Sequence, residues 1–279
     1  MTVIDSHQHF WRLADFPHSF PPAVGDRLDH DHTEDDLRPL LAECGVEKTI
    51  LVQSLNDLRE TEVYLDLADR VDYVAGVVGW VPLGDPALCA AALARFAGRR
   101  NLVGIRHLIA YEPDPEWLLQ PPVLESLGLL AKANLAFEGI PVNDAQFASL
   151  LEATRRLPDL KVVLNHMGNP PVPENGWEPW ATQMAEAAAL PNMSVKLSVG
   201  LALVVRWTWS TDALRRYADF VIGRFGSDRV MAGSNWPVIL LGASFSEAWH
   251  GIEDLLAPLS DDEQAAILGE TAARTFGLG

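Results

Sequence analysis

The chain has 279 residues, of which 48% are hydrophobic and 21% charged, with a mean hydropathy of +0.06; this supports a sizeable core and excludes a disordered chain. Twenty-one Lys and Arg against 38 Asp and Glu leave a formal charge of −17, which repels a phosphate backbone and argues against a nucleic-acid partner. Apolar runs such as VGLALVV (199–205) are too short to cross a bilayer, and no membrane partner is expected.

In chain order, short runs rich in Val, Ile and Leu alternate with longer segments of helical period. The strand candidates are 2–10, 48–54, 73–83, 102–109, 134–142, 161–166, 192–198 and 228–235. Helix candidates follow each of them, at 33–45, 60–71, 85–98, 122–134, 144–157, 176–190, 210–226 and 244–257. In the first helix Thr33 can cap the start, Asp36 can answer it three residues on, and Gly45 can end it. A last amphipathic piece, 260–278, reads as a terminal helix packed on the outside. The chain runs from Met1 straight into a strand-like VID with no basic flank or apolar signal region, so a cytoplasmic location is expected. Cys44 and Cys89 fall in helical segments outside any metal-ligand spacing and read as buried thiols.

Eight strand–helix units imply parallel strands with right-handed crossovers, closing a single (β/α)8 TIM barrel over residues 1–279 with an additional C-terminal helix. An open doubly wound sheet is the alternative, disfavoured because no glycine-rich phosphate loop follows the first strand. In a barrel the chemistry sits at the C-terminal ends of the strands. Two long proline-rich connections leave that face, Trp11 to His32 and Met167 to Asn175, and both read as walls or a lid over a substrate.

His7 and His9 close the first strand. Alternation along a strand turns both to one face, with Asp5 below them, and such a pair can grip a metal or polarise a substrate oxygen. His166 ends strand six and is the natural third nitrogen across the barrel. Strand four brings Arg106 inward, where a guanidinium can fork onto a carboxylate or oxyanion, and turns His107 toward the helices. An Arg106 that braces Glu138 or Asp5 is the structural alternative. Gln53, Glu138 and Lys196 are further polar strand-end groups, with Trp80 and Trp236 as apolar walls. Four of the nine tryptophans, Trp11, Trp177, Trp207 and Trp209, fall in active-face loops, which suits a small ring-shaped substrate; core packing is the plainer reading for any one of them.

HQH, GIRH, NHMGNP, VKLS, GSNWPV and the closing ILGETAARTFGL together resemble the amidohydrolase superfamily, and within it the type 2 group that contains sugar-acid and pyrone-dicarboxylate lactonases. The resemblance spans nearly the whole chain. It implies a lactone-opening hydrolase of carbohydrate or aromatic-compound catabolism, acting on a small lactone or carboxylate. In such relatives the HxH pair, the strand-six histidine and a strand-eight aspartate surround the scissile carbonyl, while arginine or lysine holds the substrate carboxylate. The carried-over positions are His7, His9, His166 and Asn235, with Arg106 as anion holder, Lys196 matching the KLSG lysine, and Trp80, Gln53, Glu138 and Trp236 around the substrate. His7, His9 and His166 could hold one divalent ion, zinc by analogy, and relatives that work without metal leave zero ions equally open. A binuclear centre finds no matching ligands. Oligomeric state, including a homo-oligomer, is left open.

Three departures matter. Asn165 and Asn169 stand where relatives usually have an acid and a lysine, Val199 interrupts the KLSG motif, and Asn235 replaces the strand-eight aspartate. An asparagine amide cannot take a proton from water at neutral pH, and general-base help is worth about 10²- to 10⁴-fold. The sequence leaves three explanations: an engineered Asp to Asn change, a site in which His166 or His7 is the base, or a ligand-binding form that has lost hydrolysis. A single-zinc decarboxylase of the same superfamily is the enzymatic rival, weakened by the missing strand-eight acid.

Overall fold

The computed structural model describes residues 2–18, 24 and 27–278. Eight parallel strands run in sequential order, β1 (Ile4–Gln8), β2 (Lys48–Val52), β3 (Val74–Gly79), β4 (Leu102–Arg106), β5 (Ala136–Gly139), β6 (Val162–Leu164), β7 (Met193–Leu197) and β8 (Val230–Ala232). Each neighbouring pair is hydrogen-bonded, and the ends of β1 and β8 meet where His9 N and Asn235 N donate to Trp236 O and His7 O. The order and the helices between the strands make a (β/α)8 barrel, as the alternation of segments implied.

The helices are α1 (Glu34–Glu43), α2 (Leu58–Ala68), α3 (Pro86–Arg95), α4 (Pro121–Lys132), α5 (Asp144–Arg156), α6 (Trp180–Ala188), α7 (Leu201–Val204), α8 (Thr211–Phe225), α9 (Phe245–Leu256), α10 (Asp261–Ala265) and α11 (Thr271–Phe276). Thr33 and Asp36 form the capping box expected of α1, and Gly45 follows it at φ +67°. Between β7 and α8 the short α7 is an element that the periodicity did not separate: four residues carry too little pattern to register.

Two apolar layers position the site. The outward strand faces and the helices share one large core, and a smaller cluster of Ile4, Ile50, Val52, Val78, Val103, Ala136, Val163 and Met231 fills the barrel interior. The C-terminal segment does not simply lie outside, as its amphipathic pattern suggested. Ala272 and Phe276 join the interior cluster and close the barrel floor, and the helix is interrupted by a π-helical turn at Ala266–Glu270. At Gly269 the helix runs so close to β1 that a Cβ would lie 2.0 Å from Thr2 O, and a glycine is required there.

The register of β1 slips between Asp5 and Gln8, which breaks simple alternation. His7 and His9 keep one side, whereas Asp5 turns to the β1–β8 seam. Its carboxylate accepts from His7 N, Ser234 N and Ser234 Oγ at 3.0, 2.8 and 2.5 Å. Burial lifts its pKa to about 6, against the lowering effect of those bonds.

The aromatic loops fold otherwise than expected. Part of the first loop (19–23, 25 and 26) lies outside the described residues. Trp11 is buried, pairs its backbone with His32, and donates its indole N–H to His30 O. Trp177 packs on Trp180, Tyr217 and Phe220 under the Arg216 guanidinium. Trp209 lies beside Trp207 and against Gly251 of α9. Each ring gains more by burying its area between loop and helix than by lining an open mouth.

Candidate active site

The C-terminal ends of β1, β4, β5, β6, β7 and β8 bring together His7, His9, Arg106, Glu138, His166, Lys196 and Asn235, all at most 5% exposed. His7 Nε2 lies 3.1 Å from His9 Nε2 and 3.4 Å from Arg106 Nη1, and the His7 and His166 ring centres are 4.6 Å apart.

Lys196 sets the order of protons. Its ammonium meets Glu138 Oε1 at 2.5 Å, Ser6 O at 2.7 Å and His7 Nδ1 at 3.1 Å, which uses all three N–H groups. A lysine that donates to Nδ1 places the proton of neutral His7 on Nε2, facing His9. His9 in turn donates Nδ1–H to Val52 O at 2.7 Å, so its Nε2 is the acceptor. The network thus runs one way, from Lys196 through His7 and His9 to the β2 backbone.

This placement corrects two expectations. Lys196 and Glu138 do not reach out to a substrate: they form a fully buried ion pair beneath His7, because a charge inside the barrel must find a partner. Trp236, expected as a wall, sits edge-on to Phe10 and His32 within the core under the first loop. Gln53 acts through Arg106, whose guanidinium Nη2 donates to Gln53 O while Gln53 Nε2 donates to Arg106 O at 3.0 Å. Trp80 spends its indole N–H on His107 Nδ1 at 3.0 Å, and His107 also meets Glu112 Oε1 at 2.7 Å. His107 is thereby turned away from the imidazoles, as its side of the pleat predicted. Arg106 is not the brace of Glu138 or Asp5. Its contacts are the Gln53 carbonyl and His7, and its Nε–H has no partner among the described residues.

His166 sits in a strained turn. His166, Met167, Gly168 and Asn169 all adopt positive φ, at 54°, 50°, 64° and 57°, and such non-glycine residues persist only where the surroundings hold them. Trp180 Nε1 donates to Met167 O at 2.7 Å, and Asn169 Nδ2 donates to Pro141 O at 2.9 Å. An asparagine in place of the usual lysine is thus read out locally, by its tolerance of the left-handed region. The His166 Nδ1 is 2.8 Å from Ser198 Oγ. Ser198 was not singled out from the sequence; it stands two residues beyond Lys196, on the same side of β7 by alternation.

Burial holds His7, His9 and His166 well below the ordinary histidine range. The Lys196 charge adds most to this at His7, and the Arg106 charge at His9 and His166. Burial also lowers Arg106 to about 10 and Lys196 to about 8, outweighing Glu138 in both cases. Three neutral imidazoles therefore face cationic side chains at neutral pH. His32 under the first loop is likewise lowered by burial, to about 4.

A histidine whose folded pKa lies below its unfolded value of about 6.5 contributes fully above that value, and the contribution is lost as pH falls toward the folded pKa. Each such group costs up to about 1.4 kcal/mol per pH unit in that window. With six of them (His7, His9, His18, His32, His107 and His166), denaturant midpoints should be level between pH 7 and 8 and drop from pH 6.5 down to at least pH 4, the raised Asp5 offsetting one group's share below pH 6. Midpoints unchanged between pH 7 and 5 would contradict the buried, neutral assignment.

The site is a poor cage for a resident divalent ion. Two imidazole nitrogens face each other, yet Lys196 leaves the His7 Nε2 protonated, Arg106 adds positive charge 3.4 Å away, and no group of three His, Cys, Asp or Glu converges among the described residues.

The amidohydrolase family model matches residues 4–278. The chain belongs to the amidohydrolase family. It is 38% identical to an L-fucono-1,5-lactonase of Burkholderia ambifaria, over 99% of this chain and 95% of the relative. A solved amidohydrolase from Burkholderia multivorans with bound HEPES superposes with a TM-score of 0.89 at 31% identity, covering all of both chains. A second crystal form of that protein, with bound zinc, gives a TM-score of 0.87 at 31% identity, again over all of both chains. The protein is a hydrolase, and lactone hydrolysis is the reaction these similarities support. Among the described residues no helix is long and apolar enough to cross a membrane.

Proposed function

We propose that this amidohydrolase opens a sugar-acid lactone, with His166 as the base and Arg106 as the charge that receives the oxyanion. One observation carries the assignment of roles. The neutral His166 has its Nδ1 directed to Ser198, and a buried guanidinium with an unspent N–H stands two strands away at the end of β4. With Nδ1–H donated to Ser198, the Nε2 of His166 carries a lone pair.

Water attacks the ring carbonyl while its proton passes to His166 Nε2, and the carbonyl electron pair moves onto the oxygen beside Arg106. Collapse of that intermediate breaks the ring C–O bond, and the leaving alkoxide takes the proton back from His166, giving the open hydroxy acid. A histidine held this far down is fully in its base form at neutral pH but is a weak base. Most of the acceleration then falls on the preorganised charge of Arg106; one such donor is worth about 10²- to 10³-fold. Asn235 takes no proton in this scheme. The donor set gives no reason to route a step through a metal, although a solved relative carries zinc.

The test is hydrolysis of a panel of five- and six-membered sugar-acid lactones and a pyrone dicarboxylate, before and after dialysis against chelator. Turnover of a sugar-acid lactone that survives chelation is expected, and His166→Gln should lower kcat by about 10²-fold, the low end for a general base. Absence of turnover on every lactone overturns the reading. Carbon dioxide release that depends on added zinc would assign a decarboxylase instead.

A further inference from the structure

Asn235 occupies the position where a strand-eight base is expected, and its own contacts give it different work. Its backbone is left-handed at φ 59°, its N–H donates to His7 O at 2.8 Å, and its carbonyl accepts from Ile239 N at 3.0 Å. The side chain is 1% exposed, donates Nδ2–H to Val199 O at 2.8 Å, and also hydrogen-bonds His9. Only the nitrogen end of the amide can face a carbonyl oxygen at that distance, so the orientation is forced and the amide oxygen faces away from Val199.

Val199 is the residue that interrupts the KLSG motif, and both of its neighbours touch His166. Ser198 Oγ meets the His166 Nδ1 at 2.8 Å. Gly200 packs so closely that a Cβ would lie 3.0 Å from His166 Cδ2 and 2.8 Å from Asn169 Oδ1. The Gly200 carbonyl then accepts from Leu203 N and Val204 N and starts α7. One side-chain bond from β8 therefore anchors the three-residue segment that backs His166 on one side, while Trp180 and Asn169 hold the strained turn on the other.

We propose that Asn235 is a positioning residue for His166, acting through the Val199 carbonyl, and that a carboxylate is excluded from this position. An aspartate has no N–H to give and would set a negative oxygen against the Val199 oxygen, which drives the 198–204 segment off the site. The asparagine is then a working part of this chain's own site rather than a disabled base. This rests on the reading of His166 as the base.

The decisive experiment compares the wild type with Asn235→Asp and Asn235→Ala in two assays. In lactone hydrolysis both variants are expected to lose kcat by about tenfold or more with KM changed less than about twofold. In hydrogen exchange, peptides covering 198–206 should exchange faster in both variants, with β2 to β4 unchanged, because the bond that closes the segment is gone. An Asn235→Asp enzyme faster than wild type overturns the proposal, since the position would then be a lost base. Unchanged exchange over 198–206 in both variants also overturns it. Should the wild type open no lactone, the lactonase reading fails by itself, and the exchange arm still decides whether the bond holds the segment.

Discussion

Lys196→Met is expected to lower the unfolding free energy by about 3–5 kcal/mol, among the largest stability losses available in this chain. The reason is Glu138. Both side chains are completely buried, Lys196 Nζ lies 2.5 Å from Glu138 Oε1, and the other carboxylate oxygen has no hydrogen-bond partner among the described residues. Removing the ammonium leaves an uncompensated carboxylate inside the barrel, 3.9 Å from His7 Nδ1. The double variant Lys196→Met/Glu138→Leu removes both charges and should recover most of the loss, because the pair offsets its own desolvation rather than adding net stability. Activity should not recover with it. Without Lys196 nothing forces the proton of His7 onto Nε2, so a well-folded double variant should remain slow. Urea unfolding at pH 7.5 together with kcat on the same samples checks both halves; a cost below about 1 kcal/mol for the single variant would show that the pair is not closed to water.

Arg106→Ala is expected to reduce kcat/KM for a sugar-acid lactone by about 10²- to 10³-fold. The guanidinium is 3% exposed, is held by the Gln53 carbonyl, and keeps its Nε–H unspent. That free donor in a buried site is the feature a developing oxyanion requires. Arg106→Lys should restore little, since an ammonium cannot both satisfy Gln53 and present a second N–H in a fixed plane. Arg106→Ala also removes the donor to the buried Gln53 carbonyl, so some loss of stability is expected beside the loss of activity. A variant with unchanged kcat/KM and a lowered unfolding temperature would assign Arg106 to structure instead.

The position of the site was legible because barrels place their chemistry at strand ends, and HQH, GIRH and NHMGNP each end a strand candidate. His7, His9, Arg106 and His166 do meet. The roles of Glu138, Lys196 and Trp236 were not legible in the same way. A strand-end lysine looks identical on paper whether it reaches a substrate or spends every N–H on Glu138, Ser6 and His7. The tryptophans misled for a related reason: proximity to the active face in sequence says nothing about whether a ring turns into the mouth or back onto α6, α8 and α9.

By itself the sequence determined the barrel, its eight units, the face that carries the chemistry and the asparagine at the end of strand eight, because periodicity and strand-end position are local properties of the chain. Only the tertiary structure decided which protons sit where and what Asn235 does. Those depend on contacts between residues far apart in the chain, Lys196 with His7 and Asn235 with Val199. Burial raises the cost of every unpaired charge or N–H there, so the partner rather than the residue type sets the function.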